Sequence, residues 1–243
     1  MRGSSALSTH FGKQCLAPGQ VQVWILRVDA PRSAAEGVAH VLNPGEKVRA
    51  ARFHFERDMV RFVLTRACLR TLLANALGSD PASICFGFGA AGKPYVEGGP
   101  QFNVSHSGAY SLVALAQDRS IGVDVERMRP RIEDEALSAY FSRPEEQALR
   151  VRAGRDRVTA FYSCWTRKEA YLKARGAGLS FGLDRFAVTI APVQPALVWV
   201  ADEPTEPSRW QFRDLSVDQD YAAAIAAEGH GWELLCRKLS GLW

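Results

Sequence analysis

The sequence predicts an α+β fold made of two similar subdomains. Two segments, about 58–77 and 157–175, carry the apolar spacing of long helices, and each is followed by short runs with the residue types and turn punctuation of strands. Connections between those runs are too short for parallel crossovers and point to antiparallel pairing. Near the ends of the two halves stand "YSLVALAQD" and "YAAAIAAEG", a weak repetition that agrees with a division near residues 118–130. The expected subdomains are residues 1–120 and 121–243, with a cleft between them of the kind that commonly holds ligands.

The elements follow in order. "VQVWILRVD" (21–29) alternates in β-rich residues and reads as a strand; "NPGE" (43–46) reads as a turn. From Asp58 to Leu77 the residues Phe62, Leu64, Leu69, Leu72, Leu73 and Leu77 make an apolar face, and Gly78 closes the helix. "ICFGF" (84–88) is a short strand, and "GAAGKPYVEGGP" is a loop containing Lys93 and Pro94. "QFNVSH" (101–106), "SLVALAQ" (111–117) and "IGVDVE" (121–126) form an expected antiparallel meander. Helices are expected near 133–139, 144–151 and 157–175, then strands near 185–191, 196–200, 209–215 and 220–226.

The chain has 243 residues, 47% hydrophobic and 23% charged, which excludes a disordered polypeptide and supplies one large core or two smaller ones. No apolar run reaches the 18 or so residues of a membrane span, and the first fifteen residues lack the apolar run of a secretory signal. A cytoplasmic protein without a membrane partner is expected. The five cysteines are scattered with no CxxC pair, so they read as small, mostly buried side chains rather than zinc ligands or a redox dithiol. Net charge is +4, and from Glu46 to Arg70 seven Lys or Arg face three acids, an anion-binding candidate without a nucleic-acid motif.

The chemistry-bearing residues lie in four short segments. In "GVDVE", Asp124 and Glu126 are two apart on a strand and share a face, while Val123 and Val125 pack the other side. Two carboxylates held together fit a hard divalent ion such as Mg2+, and an exposed acidic strand edge fits the spacing as well. Glu169 on the 157–175 helix supplies a third carboxylate; Trp165, Glu169 and Lys173 follow at four-residue steps, a spacing that equally suits an ordinary Glu–Lys helix pair. "NVSHSG" brings Ser105, His106 and Ser107 to a strand-to-turn transition suited to phosphate oxygens or to a plain polar turn. "GKPY" holds Lys93 in a loop stiffened by Pro94.

Together and in this order, "ARFHFERDMVRFVLTRACLR", "GKPY", "FNVSHSG", "IGVDVE", "FS…EE" and "FYSCWTRKEAYLKARGAGLSFGLDRF" resemble the 4'-phosphopantetheinyl transferase superfamily, in its long single-chain type that activates peptide and polyketide synthases. The resemblance implies pseudo-twofold related subdomains with coenzyme A between them. It implies Mg-dependent transfer of the 4'-phosphopantetheine arm to a serine of an apo acyl or peptidyl carrier protein, the holo-carrier-protein synthase reaction, by a monomer. By it, Asp124, Glu126 and Glu169 hold the metal, Glu169 is the candidate base, and Lys173 and His106 act on the phosphates. Ser105 belongs to the phosphate segment, Lys93 and Pro94 border the adenosine, and Arg49, Arg52 and Arg61 approach the 3'-phosphate. Phe141, Tyr162 and Trp165 are candidates for contact with the carrier, or else core or cleft wall. Two rival readings use the same residues: a metal-dependent nucleotide phosphohydrolase, and a nonenzymatic coenzyme A or phosphate-binding module.

Overall fold

A computed structural model describes residues 16–132, 137, 140–178 and 181–239. The first half comprises β1 (Gln20–Arg27), α1 (Arg32–Val38), α2 (Pro44–Ala51), α3 (Glu56–Leu77), β2 (Gly87–Phe88), β3 (Pro94–Tyr95), β4 (Gln101–Ser107) and β5 (Tyr110–Ala116). The second comprises β6 (Ile121–Arg127), α4 (Arg143–Arg150), α5 (Gly154–Arg175), β7 (Phe186–Val188), β8 (Leu197–Val200), β9 (Trp210–Asp214) and β10 (Tyr221–Glu228), and β11 (Glu233–Leu239) follows. The helix expected at 133–139 lies outside the described residues apart from Leu137. Among the described residues no helix is long and apolar enough to cross a membrane.

The fold is α+β, and the two halves repeat one topology. Strand order is β1-β5-β4 in the first and β6-β10-β9 in the second, all antiparallel, so the last strand of each half lies between its first and its middle one. Helices α3 and α5 are both 22 residues long, and both stop at a glycine in the left-handed region, Gly78 at φ 64° and Gly176 at φ 70°. A left-handed glycine there returns an amide to the last helical carbonyls at no steric cost. Strand β11 then goes back to the first sheet and pairs with β1 in parallel, a strand that the sequence reading missed.

The two sheets pack face to face. Val21, Val23 and Ile25 of β1 and Leu112 and Ala114 of β5 meet Val123 and Val125 of β6 and Ile225 of β10 in one apolar cluster. On the outer faces, Trp24 and Val113 pack with α3, and Ala224 and Ala226 with α5. Burial on both faces accounts for near-continuous apolar runs such as "SLVALA" where one-sided burial gives alternation.

Three local expectations need correction. The meander ends at β5, because β1 and β4 already occupy both of its edges and leave β6 no ladder to join. "NPGE" is not a turn but the start of α2: the Asn43 side chain accepts from the Glu46 amide, the Glu46 carboxylate accepts from the Asn43 amide, and Pro44 takes the first helical position. The strand expected over 84–88 shrinks to Gly87–Phe88, with Ile84 buried in the core instead.

Candidate active site

The site forms where α5 crosses β6, and Gly122 permits the crossing. A Cβ at that position would stand 2.1 Å from the Ala170 carbonyl oxygen and 2.2 Å from the Ala174 amide nitrogen, so only a glycine lets the helix backbone this close. The period-two alternation of β6 then puts Asp124 and Glu126 on the same side as Gly122, toward Glu169 and Lys173 of α5, while Val123 and Val125 enter the core. Asp124 is 2% exposed. Its Oδ1 accepts from Lys173 Nζ at 2.5 Å and from Ser105 Oγ at 2.8 Å, and Ser107 Oγ donates to Glu126 Oε2 at 2.7 Å.

All three carboxyls are pushed above the ordinary range, chiefly by burial. The Asp124 charge raises Glu169 further, whereas Lys173 partly offsets the effect of burial on Asp124. Two buried carboxylate oxygens, Asp124 Oδ2 and Glu169 Oε1, have no hydrogen-bond partner. Unpartnered anionic oxygens in such a place are costly, and a hard divalent cation is the group whose chemistry suits them. The acids approach one another without closing into a ligand shell: among the described residues no three His, Cys, Asp or Glu side chains stand at metal-ligating spacing. The Lys173 ammonium provides the counter-charge to Asp124 instead, so Lys173 does not form the helix pair with Glu169 that its spacing allowed.

The predicted cations separate into two groups. Arg49, Arg61, His106 and Pro94 line one cavity of about 530 Å³ along with Phe53 and Phe62. Arg61 lies 3.5 Å from Asp58, and the Arg49 guanidinium sits over the Phe62 ring. Partial burial and then the Arg61 charge hold His106 below the usual imidazole range, so it is neutral at pH 7. Arg52 is exposed at the C-terminal end of α2 and does not line this cavity. Arg66 and Arg70 pair with Glu46, at 3.1 and 2.6 Å, which removes two cations from the basic stretch.

Lys93 is held differently. Its ammonium donates to the carbonyl oxygens of Ile121 and Ala174, at 3.0 and 2.9 Å, and so ties the β2–β3 hairpin loop to both β6 and α5. Burial pulls it down to about 8. It lines a second cavity of about 290 Å³ beside Pro94, Glu169 and Lys173.

A third cavity, about 590 Å³, adjoins Glu126 and Ser107 and is walled by Tyr140, Tyr162 and Trp165. Phe141, which the sequence left between carrier contact and core, is a core residue: it is 3% exposed and packs on Phe161 and Trp165. Two pairings escaped the sequence reading: Lys168, read as a solvated cation, is fully buried 2.6 Å from Glu145 Oε2, and Ser107, read as a phosphate contact, holds Glu126.

Comparison with known proteins finds matches in both halves. Residues 120–226 match the family model ACPS, the 4'-phosphopantetheinyl transferase superfamily, and residues 30–118 match the model for the N-terminal part of 4'-phosphopantetheinyl transferase. The 4'-phosphopantetheinyl transferase HetI of a Nostoc species is 34% identical over 224 residues, covering 90% of this chain and 92% of its own. The chain belongs to the 4'-phosphopantetheinyl transferase superfamily. Within that superfamily, a putative 4'-phosphopantetheinyl transferase of a Synechocystis species is 38% identical over 68% of this chain and 69% of its own. A Bacillus subtilis 4'-phosphopantetheinyl transferase is 31% identical over 85% and 92%. A solved ACPS–CoA complex from Chronobacterium ammoniagenes is 19% identical, with a TM-score of 0.34 over 45% of this chain and 95% of that one, so membership rests on sequence.

Proposed function

We propose that this superfamily member transfers the 4'-phosphopantetheine arm of coenzyme A to a serine hydroxyl of an apo acyl or peptidyl carrier protein, with Mg2+ bound, and releases adenosine 3',5'-bisphosphate. The observation that carries the reading is the pair of unpartnered buried oxygens on Asp124 of β6 and Glu169 of α5 in a chain of this superfamily. Asp124, Glu126 and Glu169 are the residues that would hold the ion. When bound, it supplies positive charge against the diphosphate and the leaving phosphate.

The serine oxygen attacks the β-phosphorus, and the bond from that phosphorus to the bridging oxygen of the 5'-phosphate breaks. Glu169 takes the serine proton. Its raised carboxyl brings it closer to the working pH of a general base. Lys173, beside Asp124, and the neutral His106, as a hydrogen-bond donor, bear on the phosphate oxygens as charge accumulates. Arg61 and Arg49 hold the distal 3'-phosphate in their shared cavity, and Lys93 and Pro94 border the adenosine. Remote binding of this sort orients the reacting end. The cavity between Glu126 and Trp165 admits the carrier serine, with Tyr162 and Trp165 as contacts. Since the acids of the second half and the cations of the first come from one chain, a monomer holds a complete site.

The test is intact-protein mass of a purified apo peptidyl carrier domain after incubation with this protein, coenzyme A and Mg2+, with EDTA as control. A metal-dependent gain of the phosphopantetheine mass on the carrier serine is expected. Coenzyme A cleavage with no gain on peptidyl or acyl carriers would assign a phosphohydrolase, and binding without either reaction a nonenzymatic module.

A further inference from the structure

Strand β4 runs beside β6 without a backbone ladder, and side chains make the connection. Asn103 Oδ1 accepts from the Val123 amide at 2.9 Å, Ser105 Oγ from Val125 at 3.3 Å and Ser107 Oγ from Arg127 at 3.0 Å. The three residues are spaced by two, so they all leave β4 on one side. The two serine rungs have a second function that the asparagine rung lacks. Ser105 Oγ donates to Asp124 Oδ1 and Ser107 Oγ to Glu126 Oε2.

A hydroxyl has a single proton. With its oxygen accepting from the amide of one residue, each serine commits that proton to the carboxylate of the residue before it. One oxygen of each carboxylate is thereby held, and on Asp124 the other is buried without a partner. Asp124 has Lys173 as a further tether, but Ser107 is the one hydrogen-bond partner of Glu126 among the described residues.

We propose that Ser107, seconded by Ser105, is a positioning residue of the metal site, holding one oxygen of Glu126 so that the other is presented to the ion. The inference rests on the metal reading above. It adds a role for the first half of the molecule, since β4 orients ligands that β6 carries. Asn103 is the natural control, because it makes the same rung with no carboxylate attached.

Direct titration of the full chain with Mn2+, following free Mn2+ by electron paramagnetic resonance, tests it without reference to turnover. Ser107→Ala is expected to weaken Mn2+ binding about 10–100-fold, the usual effect of removing an outer partner of a ligand. Ser107→Thr, which keeps the hydroxyl, restores it; Asn103→Ala lowers the thermal midpoint while keeping wild-type affinity. If Ser107→Ala does not fold, Ser107→Cys, similar in size and a weaker donor, takes its place with the same expectation. Wild-type affinity in the Ser107 variant, or an equal loss in Asn103→Ala, overturns the positioning role alone. Absence of Mn2+ binding by the wild type overturns the metal reading and this inference with it.

Discussion

Lys168 and Glu169 are adjacent in the chain and sit in opposite environments: the Lys168 ammonium is fully buried against Glu145, whereas Glu169 faces a cavity with one carboxylate oxygen unpartnered. The helix pitch alone separates the two side chains. One belongs to the architecture, the other to the chemistry, and substitutions at the two should fail in different ways.

Lys168→Met should unfold the protein more readily while sparing the site's chemistry. Glu145 accepts from the Ser142 and Val188 amides as well as from Lys168, so removing the ammonium leaves a charge buried among bonds that stabilise it only in part. A loss of about 3–5 kcal/mol is expected in urea unfolding. Coenzyme A affinity of the fraction that remains folded should match wild type.

Glu169→Gln preserves shape and removes the base. Turnover should fall about 10²–10⁴-fold. In the metal-free wild type, a carboxyl raised by burial and by Asp124 stays protonated to a higher pH than an ordinary glutamate, so Mn2+ affinity should rise as pH rises through that elevated value. The variant should lose this part of the pH dependence; its persistence would assign it to another group.

Lys173 and a bound cation compete for Asp124. Lys173→Met should therefore bind Mn2+ more tightly than wild type and yet turn over about 10²–10³-fold more slowly, because charge stabilisation at the phosphates is gone. Asp124→Ala should lose both metal binding and turnover. Calorimetric titration beside a carrier-loading assay separates the two variants, and weaker metal binding by Lys173→Met would contradict the competition.

Lys93 gives the protein a stability slope on the alkaline side. Burial lowers its ammonium from an ordinary 10.5 to about 8, so between those values the unfolded chain holds a proton that the folded chain has released. Stability must then rise with pH across that window, as burial of the charge ceases to oppose folding. Thermal unfolding of wild type and Lys93→Met from pH 7 to 10 should show the difference moving in favour of wild type above about pH 8.

Much of the site was legible because it obeys short periods. Asp124 and Glu126 fall two apart on a strand, and Glu169 and Lys173 four apart on a helix, so each pair is placed by its own element. The doubled topology left a trace too, in two long helices with glycine stops. What could not be read depends on partners far away in sequence. Lys168 looked like any helix-surface cation until Glu145, 23 residues earlier, came to meet it. Lys93 resembled a free loop lysine although two carbonyls already engage it. The serine alternation in "NVSHSG" suggested phosphate contacts because no sequence pattern shows that β6 lies alongside. In "NPGE", by contrast, the capping signal was present, and the turn-forming character of Asn, Pro and Gly concealed it.

The parallel pairing of β11 with β1 has a bearing on how the molecule is made. Gln20 meets Glu233, partners separated by 213 residues, and their side chains are also bonded. While the chain emerges from the ribosome, the first half can assemble β1, β5 and β4, but the other edge of β1 stays open throughout synthesis of the second. An open edge invites mispairing with neighbouring chains. Closing the seam is thus a late event that requires both halves, and a nascent chain stalled before residue 233 should be the aggregation-prone species.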